Sequence, residues 1–205
     1  MSEPTPAAPI RPASPASVPP EAAAAATKAP ARAGIVILAL ALGGFTIGTT
    51  EFSAMSLVPY FSVGLGISEA TAAHVISAYA LGVVVGAPLI AVLAARVDRR
   101  ILLVALMSLY GLANLISAVT PTYELMLIAR FAAGLPHGAY FGVASLMAAS
   151  LVPRNRRTTA VARIMIGLTI ATIVGVPLNV VLGQGIGWRA GFVLSAALAF
   201  VTVAA

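Results

Sequence analysis

Residues 34–60 read GIVILALALGGFTIGTTEFSAMSLVPY, an apolar run interrupted by a single carboxylate, Glu51. A helix needs about 20 consecutive apolar residues to cross a bilayer, and this run is long enough. On insertion scales an acidic residue at the centre of a spanning helix costs roughly 2.5–3.5 kcal/mol. A chain that keeps one either neutralises it or uses it.

Five further apolar runs follow, at about 72–95, 101–119, 125–151, 160–183 and 190–205, which makes six candidate spans. The composition agrees. Of the 205 residues 60% are hydrophobic and 9% charged, with a mean hydropathy of +1.02. An ordinary soluble domain carries about 25% charged residues, so this chain has too few to coat a globule in water. The expected class is an all-α membrane protein whose main partner is the lipid bilayer. Cysteine is absent, which removes disulfides, thiol catalysis and cysteine metal sites. No cofactor or metal motif is present. The net charge of +6 sits in short blocks between apolar runs and forms no aromatic-studded basic face, which argues against nucleic acid.

Residues 1–31 differ from the rest. Pro, Ala and Ser dominate them, so a disordered cytoplasmic tail is expected there, followed by a six-span bundle over 32–205. The apolar run behind the tail is too long for a signal-peptide core of about 7–15 residues. Orientation follows from the arginines and lysines. Arg11, Lys28 and Arg32, then Arg96, Arg99 and Arg100, then Arg154, Arg156 and Arg157 fall on one side. The other side holds Glu69, Glu124 and Arg189. The N-terminus and the basic loops are therefore expected in the cytoplasm, and Trp188 at the outer interface.

Glu51 has a candidate partner. It lies about nine residues below the outer end of span 1, and Arg130 lies about one and a half turns below the outer end of span 4. At 1.5 Å per residue their depths are roughly 14 and 9 Å. Two readings follow: a fixed Glu51–Arg130 pair that only neutralises two embedded charges, or a titratable carboxylate in a wet cavity whose proton affinity changes as the arginine moves. On span 4 the stretch RFAAGLPHGAYFG (130–142) puts Arg130, Gly134, His137 and Phe141 on one face. A lone histidine in a span is more often a packing residue than a proton relay, although sharing a face with Arg130 narrows the margin. His74, near the outer start of span 2, receives no role. Gly134, Gly138 and Gly142, and Gly82 and Gly86 on span 2, form small-residue ladders suited to close helix approach. Pro88, Pro136 and Pro177 interrupt spans 2, 4 and 5. In span 5, Gly167, Gly175, Pro177 and Gly183 mark either a static kink or a bending seam between rocking helices.

Together GTTEF (48–52), VISAYALGVVVGAP (75–88), RFAAGLPHGAYFG (130–142) and GVPLNVVLGQGIGWR (175–189) resemble the major facilitator superfamily. Within it they are most similar to the bacterial drug and sugar efflux proton antiporters of the arabinose-efflux-permease and chloramphenicol-exporter type. The resemblance covers residues 34–205. It implies six spans forming the N-terminal half of a twelve-span fold around a central cavity, with the second six-span half missing from this chain. Of the family's loop signature G-x-x-x-D-R-x-G-R-R, the stretch AVLAARVDRR keeps Arg96, Arg99 and Arg100. Ala91, Ala95 and Asp98 replace the first glycine, the aspartate and the second glycine, so Asp98 is the acidic residue left to serve that loop. Arg130 and Gly134 match the span 4 motif, which implies a part in proton coupling for Arg130; Ala133 stands where relatives often have glutamine. Gly175 and Pro177 match the G-x-P core in span 5, while Asn179 stands where a glycine is common.

The expected function is proton-coupled export of a small organic substrate across the bacterial inner membrane. Glu51 and Arg130 would couple protons; His137, Tyr140 and Asn114 would face the substrate. One alternative is a non-functional fragment, or a half-transporter that needs a second six-span partner. The other is an intramembrane enzyme, for which G-x-S-x-G and H-E-x-x-H motifs are lacking and only two histidines are available.

Overall fold

The computed structural model describes residues 20–205, with side chains from residue 32 onward. The expected tail, 1–31, therefore falls mostly outside the described residues, and its last part coincides with the start of the first helix. Among the described residues there is no strand.

The chain folds into α1 (Pro20–Ser56), α2 (Val58–Leu65), α3 (Glu69–Leu93), α4 (Arg99–Val119), α5 (Tyr123–Ser150), α6 (Arg157–Ile170), α7 (Val176–Gly185) and α8 (Trp188–Ala204). These make six spans. The short α2 closes span 1 at its outer end. Span 5 is α6 and α7 joined through a five-residue π-helical segment, Ala171–Gly175. Four stretches are long and apolar enough by themselves to cross a membrane: Arg32–Ser56, Glu69–Leu93, Arg99–Val119 and Arg154–Gly185. Helix α5 has 28 residues but carries Glu124, Arg130 and His137, and α8 has 17 residues.

Local chemistry explains where the helices begin. Ser68 caps α3 by accepting from the Thr71 amide, and Thr122 caps α5 by accepting from that of Leu125. Asp98 caps α4, its carboxylate accepting from the amides of Arg100 and Ile101 at 2.9 and 3.3 Å. Each cap satisfies amides that the first helical turn leaves without a partner. The π segment has a cause as well. Pro177 brings no N–H and its ring crowds the carbonyl of Ile173, one turn earlier, so the ladder widens just before it.

Helix α3 packs most extensively on α5, α4 on α5 and α8, and α1 on α6 and α8. The α3–α5 seam is backbone against backbone. A Cβ added at Gly82 would collide with the Phe131 carbonyl, one at Gly86 with that of Leu135, and one at Gly134 with that of Tyr79. Small residues are what permit this approach. A similar seam joins spans 1 and 5, where Gly167 faces the Ala41 carbonyl and Gly175 faces Thr49.

Two apolar clusters fill the bundle. One centres on Ile47, Tyr79, Met107, Tyr110, Tyr140 and Ile164; the other, around Leu57, Phe61, Val75, Met126, Trp188 and Phe192, lies toward the outer end. Trp188 departs from expectation. It opens α8 and is buried, wedged between Phe61 and Phe192 with ring centroids 6.1 and 6.0 Å away. Its indole contributes to the core because Gly64 leaves room for it on α2. The apolar residues left exposed, among them Val84, Val92, Ile128, Ile173 and Val181, suit a hydrocarbon surrounding.

Candidate functional site

The polar residues of the interior gather around α5. Arg130 and His137 stand two turns apart, which brings them to nearly the same face, and that face looks onto α1, α3, α4 and α8. Glu51 reaches the same region from α1, just below the break at Leu57 that separates α1 from α2.

Glu51 and His137 come together: the carboxylate Oε2 is 4.0 Å from the imidazole Nδ1. Their side chains are 29% and 14% exposed, respectively, so the pair is reached from outside the packed core. The same Nδ1 lies 2.9 Å from the Tyr79 hydroxyl, and the Phe141 ring sits 5.5 Å from the imidazole centroid.

Arg130 lies elsewhere. Among the described residues no ion pair joins it to Glu51. The residue is 1% exposed, and its guanidinium rests over the Tyr79 ring at 4.4 Å and the Phe192 ring at 5.4 Å. One Nη1–H donates to Asn114 Oδ1 at 3.3 Å, while Nε has no partner among the described protein atoms. Two aromatic faces and an amide take the place of a carboxylate, which is a recognised way to hold a guanidinium. The simple Glu51–Arg130 pairing considered from depth alone is thus not the arrangement found. Glu51 at roughly 14 Å lies between Arg130 at roughly 9 Å and His137 at roughly 20 Å. Depth alone does not choose between them; the rotation of the helices does.

The other expected cavity residues have internal partners. Asn114 is fully buried; its Nδ2 donates to the Tyr110 carbonyl at 2.8 Å, and it faces Arg130. The buried Tyr140 hydroxyl donates to the Leu40 carbonyl at 2.9 Å, tying α5 to α1, and Gly43 leaves room for it. In the basic loop, Arg96 and Arg100 are exposed. Arg99 Nη1 donates to the Leu146 carbonyl near the end of α5 at 3.4 Å, and Asp98 is committed to its cap. Gly134 forms the α3–α5 seam, and Gly175 and Pro177 form the π-helical seam against α1. Asn179, where a glycine was the common residue, packs tightly after all. It is buried, its Nδ2 donates to Ser53 Oγ, and Gly191 of α8 leaves space for its Oδ1.

Three participants escaped the sequence reading: Tyr79, Phe192 and Ser53. For Tyr79 a signal existed, since positions 79, 82 and 86 share the small-residue face of α3. Phe192 and Ser53 carry no comparable mark. Among the described residues, no group of three His, Asp or Glu side chains could hold a metal ion. A groove of about 870 Å³ between α1 and α6, lined by Ile35, Leu38, Phe45, Ile166 and Ile170 with Arg163 at its edge, includes none of the Glu51 cluster.

A six-helix bundle that holds a carboxylate, an imidazole and a guanidinium at membrane depth is the architecture of a membrane transporter. The chain belongs to the major facilitator superfamily: residues 40–205 match the family model described as Major Facilitator Superfamily. It is 46% identical over 167 residues to the inner membrane transport protein YdhP of Escherichia coli K12, a match covering 82% of this chain and 43% of that protein. It is also 37% identical over 153 residues to a chloramphenicol resistance protein of Streptomyces lividans, covering 75% of this chain and 39% of that one. The match therefore spans less than half the length of these relatives. Among solved structures, the proton:xylose symporter XylE superposes with a TM-score of 0.74 at 18% identity, covering 82% of this chain and 43% of XylE. Its likeness defines the fold, and the six spans form the N-terminal half of a major-facilitator bundle.

Proposed function

We propose that this chain is one half of a proton-coupled exporter of a small organic compound, working by alternating access in the bacterial inner membrane with its N-terminus in the cytoplasm. A second six-helix half lines the opposite wall of the path. The observation that carries the reading is the placement of Glu51. It is 29% exposed and beside an imidazole, at a depth where an idle carboxylate is costly. A carboxylate so placed exchanges protons with the water that reaches it, and its proton affinity follows any helix movement that alters its neighbours. The basic loops at Arg96–Arg100 and Arg154–Arg157 support the orientation. The direction of transport leans on relatives described as a chloramphenicol resistance protein and a probable sugar efflux transporter.

The test uses the full-length protein that carries this chain, in inside-out membrane vesicles with an imposed pH gradient. Addition of chloramphenicol should partly collapse the gradient with the wild-type protein. It should leave the gradient intact with Glu51→Gln at equal abundance. Equal collapse by both would remove Glu51 from the coupling mechanism.

A further inference from the structure

The Tyr79 hydroxyl and the Glu51 carboxylate converge on one nitrogen, His137 Nδ1, at 2.9 and 4.0 Å. A single ring nitrogen cannot serve both in the same way. To accept from the Tyr79 O–H it must be unprotonated; to donate to the Glu51 carboxylate it must carry a proton. We propose that His137 is a proton-transfer residue whose Nδ1 alternates between Tyr79 and Glu51, so that the protonation of Glu51 is read out at Tyr79 and hence at the seat of Arg130. The proposal rests on the reading of Glu51 as a proton-exchanging carboxylate and adds a second carrier to it.

The step balances. With Glu51 protonated, neutral His137 holds its proton on Nε2 and accepts from Tyr79. The Glu51 O–H bond then breaks and an Nδ1–H bond forms, leaving a carboxylate against an imidazolium with total charge unchanged. The Nδ1 lone pair is no longer available, so the Tyr79 hydroxyl must turn. The imidazolium then releases the Nε2 proton to water reaching the 14% exposed ring, leaving the Nδ1–H form beside the carboxylate. Uptake of a proton at Nε2 and return of the Nδ1 proton to Glu51 restore the starting arrangement. In the arrangement seen here the nitrogen is on Tyr79, with Glu51 one short movement away.

The surrounding groups fit this role. Among the described residues, the ionisable neighbours of the imidazole are Glu51 from α1 and Tyr79 from α3, with Arg130 two turns along its own helix. Tyr110 of α4 lies in the same cluster as Tyr79. The Tyr79 ring also carries the Arg130 guanidinium at 4.4 Å. The phenol is rigid, so a shift of its oxygen away from the protonated Nδ1 shifts the ring under Arg130, whereas rotation of the O–H hydrogen alone does not.

The test needs no transport. Histidine is labelled with ¹⁵N in the full-length protein that carries this chain, in lipid nanodiscs, and the His137 signals are identified as those lost with His137→Gln. Nδ1 and Nε2 are followed as pH is stepped, in the wild type and with Glu51→Gln or Tyr79→Phe. The expected result is a pH-dependent change at Nδ1 that is displaced or lost with Glu51→Gln. Tyr79→Phe should alter the Nδ1 signal even where His137 is neutral. Glu124→Gln, at the outer end of α5, should change nothing. Identical curves in all variants would overturn the proposal, and so would a response to Tyr79→Phe alone. A protein that exports nothing in the vesicle assay but shows the Glu51-dependent signal would sink the export reading and leave the His137 proposal standing.

Discussion

The Arg130 guanidinium carbon lies 4.4 Å from the centroid of the Tyr79 ring. A buried cation here rests on a π face, with a neutral amide, Asn114, as its hydrogen-bond acceptor. The contact depends on a flat guanidinium. Lysine presents a compact ammonium that cannot lie along the ring in the same way. Arg130→Lys should therefore lose most proton-driven export despite keeping the charge. It should also lower the stability of the purified protein by about 1–2 kcal/mol, read as a drop in melting temperature. Wild-type export by Arg130→Lys would show that charge alone suffices.

Asn114 holds the other side of that cation. Removing it with Asn114→Ala leaves a buried N–H without its acceptor, at a cost of about 1–3 kcal/mol. The loss should shrink sharply when Arg130 is already replaced by methionine, because the unpaired donor has gone as well. Thermal unfolding of the two single variants and the double variant measures the coupling. Additive losses would mean that the 3.3 Å contact contributes nothing.

Asp98 separates a capping role from a charge role. Its carboxylate accepts two amides at the start of α4, and asparagine caps about as well as aspartate. Asp98→Asn should leave stability and transport close to wild type, while Asp98→Ala should cost about 1 kcal/mol. If Asp98→Asn abolished transport at unchanged stability, the charge would matter in the loop beyond its cap.

Two positions of one glycine ladder, just over two turns apart, predict opposite outcomes. At Gly134 any side chain meets the α3 backbone, whereas an added Cβ at Gly142 meets nothing within 4 Å. Gly134→Val should destabilise by about 1–3 kcal/mol through overpacking and sharply reduce the folded yield. Gly142→Ala should stay within about 0.5 kcal/mol of wild type. Fluorescence-detected size-exclusion profiles and melting curves of the two variants make the comparison.

Much of this structure is legible in the sequence because bilayer-crossing helices must be long, apolar and internally hydrogen-bonded. The six runs become six spans, and the face carrying Arg130, Gly134, His137 and Phe141 is the one that meets the polar cluster. Glu51 marks itself by its cost. Its neighbour does not, since residue count fixes depth but leaves the rotation of α1 against α5 undetermined. Packing contacts between helices distant in the chain set that rotation, as Gly167 against Ala41 and Tyr140 against Leu40 do. Trp188 illustrates the same limit. Its position at a loop suggested an interface, and only the notch at Gly64 on another helix draws the ring inward. The π segment is half legible: Pro177 announces an irregularity, but its form depends on what α1 presses against it.

The α3–α5 seam carries one more implication. Tyr79 and Arg130 ride on two helices whose backbones touch at Gly82 and Gly134, so they travel as one piece. Glu51 arrives on α1, which packs mainly on α6 and α8 and only lightly on α3 and α5. Any tilt of α1 against the seam lengthens or shortens the Glu51–His137 gap while the Tyr79–Arg130 stack stays intact. The gap is thus a gauge built into the protein, with one jaw on α1 and the other on the α3–α5 seam, and its 4.0 Å setting is such that an approach of about one ångström would close it into a hydrogen bond.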